Sequence, residues 1–133
     1  VNNGTEPIGD DELVYRRVPA VWYDTKFGVD DQAFAPRKPD VTGLSVSRAK
    51  YKSPEEAAKG AGPCYYLAVL RAGDLREHGI EIEPRPEPGD PGHCVLANLN
   101  AGNRKATQTI ERQNLLASKL CLQILGPFEK RGA

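Results

Sequence analysis

The chain has 133 residues, of which 39% are apolar and 27% charged, enough for one domain with its own hydrophobic core and no need of disulfides or metal to hold it. Eighteen basic and eighteen acidic side chains cancel, which argues against the global positive field of a nucleic-acid-binding domain. Its longest apolar runs, such as Leu67 to Leu70 and Leu120 to Leu122, fall far short of the ~18 residues a membrane-spanning helix requires.

Charge is distributed unevenly. Glu6, Asp10, Asp11 and Glu12 make the start acidic, whereas Arg104, Lys105, Arg112, Lys119, Lys130 and Arg131 tilt the last third towards positive. Cys64, Cys94 and Cys121 show no ligand spacing, and His78 and His93 are the only histidines, so neither a metal site nor a cofactor is expected. Beside apolar runs such thiols act as small hydrophobes, which suits a reducing, cytoplasmic setting. The first residues lack the basic start and apolar core of a signal peptide. Residues 1–10 read as a flexible leader, 11–126 as a single domain and 127–133 as a tail.

Leu13 to Val18 is β-branched and aromatic and is bounded by Pro19, which predicts a strand. Its alternation places Leu13, Tyr15 and Arg17 on one face and Val14, Arg16 and Val18 on the other. Residues 19–40 form a long irregular connection anchored by Trp22, Tyr23, Phe27 and Phe34. Leu44 and Val46 alternate with Ser45 and Ser47 as in a half-buried strand. Ser53-Pro54-Glu55-Glu56 opens a short helix over 54–60, with a capping hydroxyl, a proline at the first helical position and acids in the first turn. Cys64 to Leu70 is the most apolar run and predicts a central strand buried on both faces. Asp74 to His78 forms one helical turn closed by Gly79, and Ile80 to Glu83 an edge strand.

Pro84, Pro86, Pro88 and Pro91 predict a stiff surface loop over 84–92 that stays out of any sheet. Residues 93–99 are a further strand. From Arg104 to Leu125 there is no internal Gly or Pro, and Leu116, Leu120 and Ile124 recur every four residues, which predicts one long C-terminal helix ended by Gly126-Pro127. The expected fold is a single small α+β domain: a mixed or antiparallel sheet of about five strands with the C-terminal helix packed on it.

No catalytic motif such as GxSxG, HExxH or a Walker loop is present. Gly60-Ala61-Gly62-Pro63 precedes a strand instead of opening a helix, so it reads as a turn and not a phosphate loop. Individual side chains carry what remains. His93 stands at the mouth of a strand, as a general acid/base or as a structural imidazole bonded to backbone. Arg16 and Arg17 present guanidinium groups suited to phosphate or carboxylate, unless they pair with an acid such as Asp24 or Glu83. Ser45 and Ser47 share a strand face and would hydrogen-bond a ligand or act as nucleophiles. Arg48, Lys50 and Lys52, with the basic residues of the C-terminal helix, offer phosphate contacts, but with Tyr51 as the only interleaved aromatic they do not make a nucleic-acid surface. Arg85, Pro86 and Pro88 in the stiff loop suit recognition of a protein partner.

The order Tyr15-Arg16-Arg17-Val18-Pro19, Phe34, Gly43-Leu44-Ser45-Val46, Ala72-Gly73-Asp74-Leu75-Arg76 and Asp90-Pro91-Gly92-His93 resembles a family of small uncharacterised bacterial proteins, over roughly residues 12–99. The chain also bears a fainter likeness to ADP-ribosyltransferase-like folds, in which an arginine on an early strand and a serine on a later one hold a dinucleotide. That likeness implies such roles for Arg17 and for Ser45 or Ser47, and leaves only Glu81 and Glu83 for the late-strand glutamate. Two functions are therefore expected to compete. One is a cytoplasmic bacterial adaptor that recognises a protein partner within a multi-gene system. The other is an enzyme acting on a nucleotide or another small phosphorylated ligand, by ADP-ribosyltransferase-like or phosphodiester chemistry, with Arg17, Ser45 and His93 as its catalytic set. They separate on whether those three side chains line one concavity.

Overall fold

A computed structural model describes residues 3–58 and 64–129. In chain order it contains β1 (Leu13–Pro19), the short hairpin β2 (Tyr23–Asp24) and β3 (Gly28–Val29), β4 (Leu44–Arg48), α1 (Pro54–Ala58), β5 (Cys64–Arg71) and α2 (Ala72–Glu77). These are followed by β6 (Ile82–Pro84), β7 (His93–Leu96), α3 (Thr107–Leu115) and β8 (Gln123–Glu129). The main sheet has six strands in the order β6-β7-β4-β1-β5-β8, all neighbours antiparallel. The α+β class holds, with an antiparallel sheet one strand larger than expected.

One sheet face is the core. Val14, Val18, Leu44, Val46, Leu70, Cys94 and Leu96 point into it and are covered by Phe34 from the 19–40 connection, Leu75 of α2, Leu99, and Leu116 and Leu120 after α3. On the opposite face an apolar cluster lies towards β5 and β8, where Tyr15, Leu67, Leu125 and Phe128 pack under Ala57 and Ala58 of α1. Ser53 holds the start of α1 as its sequence predicts: its hydroxyl accepts from the Glu56 amide at 3.2 Å while the Glu56 carboxylate accepts from that hydroxyl at 3.1 Å. The expected helical residues 59 and 60, and the turn at 60–63, lie outside the described residues.

The expected long C-terminal helix is divided. A 3₁₀ turn at Ala101–Asn103 precedes α3, and a wide π turn, Leu116–Leu120, ends the helical stretch. The Leu122 amide then bonds the Val69 carbonyl at 2.8 Å, and the chain continues as β8 along β5. Ile124 faces the main core and Leu125 the cluster under α1. Gly126-Pro127, taken from the sequence as a stop, lies inside this strand at an irregularity opposite Tyr65 to Leu67. An edge strand with a bulge tolerates the missing proline N–H, so residues 127–129 belong to the sheet and not to a tail.

The 84–92 loop is corrected in the same way. Pro84 ends β6 opposite Cys94, Arg85 donates its amide to the His93 carbonyl at 3.0 Å, and Glu87 and Asp90 exchange both backbone bonds to close a hairpin. Amides alternate in direction along a strand, so with the Arg85 N–H aimed at β7 the nitrogen of Pro84 points to the free edge.

The leader is not loose where it is described. Ile8 is only 4% exposed and joins the main core, and Gly4, at φ +92°, runs so close to the β6–β7 hairpin that a Cβ would collide with the Pro91 carbonyl. Arg48 secures this strap. All five of its N–H bonds find acceptors: the Glu12 carboxylate at 2.5 and 2.9 Å, and the carbonyls of Gly4, Glu6 and Pro7 at 3.1 to 3.4 Å. The side chain is fully buried. Burial works against its charge, but Glu12 and Glu6 outweigh that and raise its pKa above the ordinary arginine value.

Candidate functional site

β1 and β4 pair only through Val14 with Arg48 and Tyr15 with Ser47, whereas all seven residues of β1 pair with β5. Beyond Tyr15 the two strands separate. Arg16 fills the gap, its guanidinium donating to the Ala33 and Ser45 carbonyls at 2.9 Å each. A cleft of about 510 Å³ opens at this split, lined by residues that include Arg16, Arg17, Arg37, Ser45, Ser47 and His93. That volume suits a small-molecule ligand.

Strand pairing explains why these side chains meet. Directly paired residues project to the same side of a sheet, so the register Tyr15–Ser47–His93 puts all three on the face away from the core, and Arg17 and Ser45, two residues along, share it. The His93 ring reaches diagonally to Ser45, with Nε2 at 3.2 Å from Oγ. Its Nδ1 lies 2.8 Å from the Arg85 carbonyl and 3.7 Å from a Glu87 carboxylate oxygen. A carbonyl only accepts, so Nδ1 carries a proton; in the neutral ring Nε2 is then the acceptor and Ser45 the donor.

The arginines are the second part of the site. Burial lowers the pKa of Arg16 to about 10; Asp40 opposes the shift, and the neighbouring positive charges of Arg17 and Arg37 add to it. Among the described residues none of the three makes an ion pair: of the acids proposed from the sequence as partners for Arg16 and Arg17, Asp24 pairs with neither and Glu83 lies 3.6 Å from Arg85 instead. Arg37 lies over the Trp22 ring, 4.8 Å from its centroid, and donates one Nη to the Gln32 carbonyl at 3.5 Å, which leaves its other guanidinium donors available. Asp90 is the one carboxylate among the lining residues, and it is engaged by Lys52 at 3.0 Å.

Arg17, Ser45 and His93 thus line one concavity, together with Arg16 and Ser47. Arg85, Pro86 and Pro88 do not line it, but the Arg85 carbonyl orients its histidine. Glu81 and Glu83 do not line it either; they border a shallow groove with Ile80 and Ile82 beside the outer strand β6, so the glutamate of the ADP-ribosyltransferase-like pattern is missing from the cleft. The candidate phosphate contacts on and after β4 are turned to internal use, Arg48 on the strap, Lys50 3.6 Å from Glu6 and Lys52 on Asp90. Arg37 was not singled out from the sequence, and Trp22 only as an apolar anchor of the 19–40 connection, because nothing in an irregular connection shows where it folds back.

Burial pushes the Cys94 thiol up to about 12 and raises that of Cys121 as well, so neither supplies a thiolate nucleophile. Among the described residues no group of three His, Cys, Asp or Glu side chains is placed to hold a metal ion, and no helix is long and apolar enough to cross a membrane. No protein-family model, curated protein or solved structure matches the chain.

Proposed function

We propose that the chain is an enzyme that binds a nucleotide or similar phosphorylated ligand in the cleft at the β1–β4 split. The observation that carries this reading is the group of three arginines, without ion-pair partners among the described residues, facing the same space as a histidine with a defined acceptor nitrogen. Mutually repelling guanidinium groups in a partly desolvated cleft are stabilised by an anion, and planar guanidinium matches phosphate geometry. In this reading Arg17, with Arg16 and Arg37, holds the phosphate, His93 moves a proton, and Ser45 and Ser47 hydrogen-bond the ligand. With no glutamate lining the cleft, phosphate-ester or anhydride chemistry fits better than ADP-ribosyl transfer.

An adaptor would instead present the hairpin tip, with exposed Arg85 and Pro88, to a protein partner. The cleft reading accounts for that loop too, since its backbone orients His93. Calorimetric titration with ADP is the test. Wild type is expected to bind, and Arg17→Ala to bind about ten- to a hundredfold more weakly, the loss for one charge-assisted hydrogen bond. Equal affinity in the two proteins, or no binding by either, overturns the reading.

A further inference from the structure

The arrangement around Ser45 goes beyond holding a ligand. In the neutral ring of His93 the Nδ1 proton is committed to the Arg85 carbonyl, leaving the Nε2 lone pair 3.2 Å from the Ser45 hydroxyl. A hydroxyl facing a base whose second nitrogen is fixed by a third group is the geometry that activates a nucleophile. Ser45 is exposed to solvent in the cleft, so an electrophile has access to it. Its own carbonyl accepts from Arg16, which places a positive charge beside the reacting position. By contrast Ser47 is only 8% exposed and has no such partner at hydrogen-bond distance among the described residues.

We propose that Ser45 is the nucleophile of a covalent phosphoryl transfer, with His93 as its general base. The inference rests on the cleft binding a phosphorylated ligand. In the first step Ser45 Oγ forms a bond to phosphorus while the bond from phosphorus to the leaving oxygen breaks. The Oγ proton passes to His93 Nε2 and from there to the leaving oxygen. In the second step water attacks the phosphoserine, gives its proton to Nε2, and frees Ser45, whose oxygen takes that proton back. The products are the alcohol or shorter phosphate and inorganic phosphate, and no metal or redox partner enters the balance. The arginines serve the non-bridging oxygens, whose charge must be neutralised before an oxygen nucleophile approaches.

A fluorophosphonate reports this chemistry directly, because Oγ displaces fluoride from phosphorus and leaves a stable adduct. Wild-type protein incubated with it is expected to gain one adduct by intact mass, mapped to Ser45 by peptide sequencing. Ser45→Ala should abolish it, and His93→Gln should slow it at least about a hundredfold, as for loss of a general base. An unmodified wild type, an adduct on any other serine, or a rate unaffected by His93→Gln overturns the proposal. Mapping on wild type requires no variant to fold. ADP binding measured on the same samples separates the two readings: Arg17-dependent binding without an adduct overturns the nucleophile alone, and neither binding nor adduct overturns the cleft as well.

Discussion

The two ends of the β1–β4 pair treat arginine in opposite ways. At the closed end, where Val14 and Tyr15 pair with β4, Arg48 is fully buried and every donor it has is matched from within the chain, two carboxylates among its partners. At the open end Arg16, Arg17 and Arg37 meet around a cleft, bonded to carbonyls or stacked on an aromatic ring, with no ion pair to any of them among the described residues. Cation and scaffold are the same; what differs is whether acids are supplied internally. The N-terminal strap brings Glu6 and Glu12 into ion pairs with Arg48 at the closed end, whereas at the open end Asp40 acts on Arg16 through its charge without forming an ion pair. A cation neutralised by its own chain is spent on folding, and one left without an ion pair is available to something that arrives from outside.

Removing Arg48 should have the largest effect. Arg48→Met leaves Glu12 and three carbonyls without their donor, and denaturant unfolding is expected to show a loss of about 3–5 kcal/mol, the range for breaking a buried pair on one side. A loss below about 1 kcal/mol, the value of a surface pair, would erase the contrast between the two ends.

Acid should act on the closed end next. The Tyr51 hydroxyl, 2.5 Å from the Glu6 carboxylate, and then Arg48 and Lys50, hold the Glu6 pKa below its ordinary 4.5. A carboxyl group depressed in the folded state contributes stability that is complete above its unfolded value and disappears as pH falls through the lower folded one. Stability followed downward from about pH 5 should therefore decline more steeply in wild type than in Glu6→Gln. Parallel profiles would mean the strap does not depend on that carboxylate.

The smallest effect on folding belongs to the open end. Arg17→Ala should leave unfolding stability within about 0.5 kcal/mol of wild type, as for a surface position without a structural partner, even though it weakens ADP binding. Destabilisation comparable with that of Arg48→Met would show that Arg17 is structural after all.

Much of the scaffold is legible in the sequence because local signals agree with the tertiary outcome there. The alternation of Leu13 to Val18 and of Leu44 to Ser47, the apolar run of β5 and the capping box at Ser53 each predict the element that forms. Those alternations also put Ser45 and Ser47 on a polar face, and Arg17 on the face opposite Val14 and Val18, before any pairing is known. What fails is where a partner overrides the local signal. Leu116, Leu120 and Ile124 fit a helical period, yet β5 offers an unpaired edge, and Ile124 is drawn into a strand that runs on through the proline expected to end a helix. Glu6 and Glu12 lie 42 and 36 residues from Arg48, so no window of sequence shows that an acidic start and a basic strand end neutralise each other. Arg37 belongs to the same class, since its place beside Arg16 is set by how residues 19–40 fold back.

The parting of β1 from β4 also has a mechanical meaning. It divides the sheet into two plates, β6-β7-β4 and β1-β5-β8, joined at the closed end by two residue pairs and at the open end by one guanidinium clip. Arg17 belongs to one plate, Ser45 and His93 to the other. Whatever fills the cleft must therefore tie the plates together, and the seam is where the molecule should breathe when empty and stiffen when occupied. Amide exchange would register this as protection gained on ligand binding at the β4 and β1 amides that face the split, while the amides bonded within the fully laddered β1–β5 pair change little.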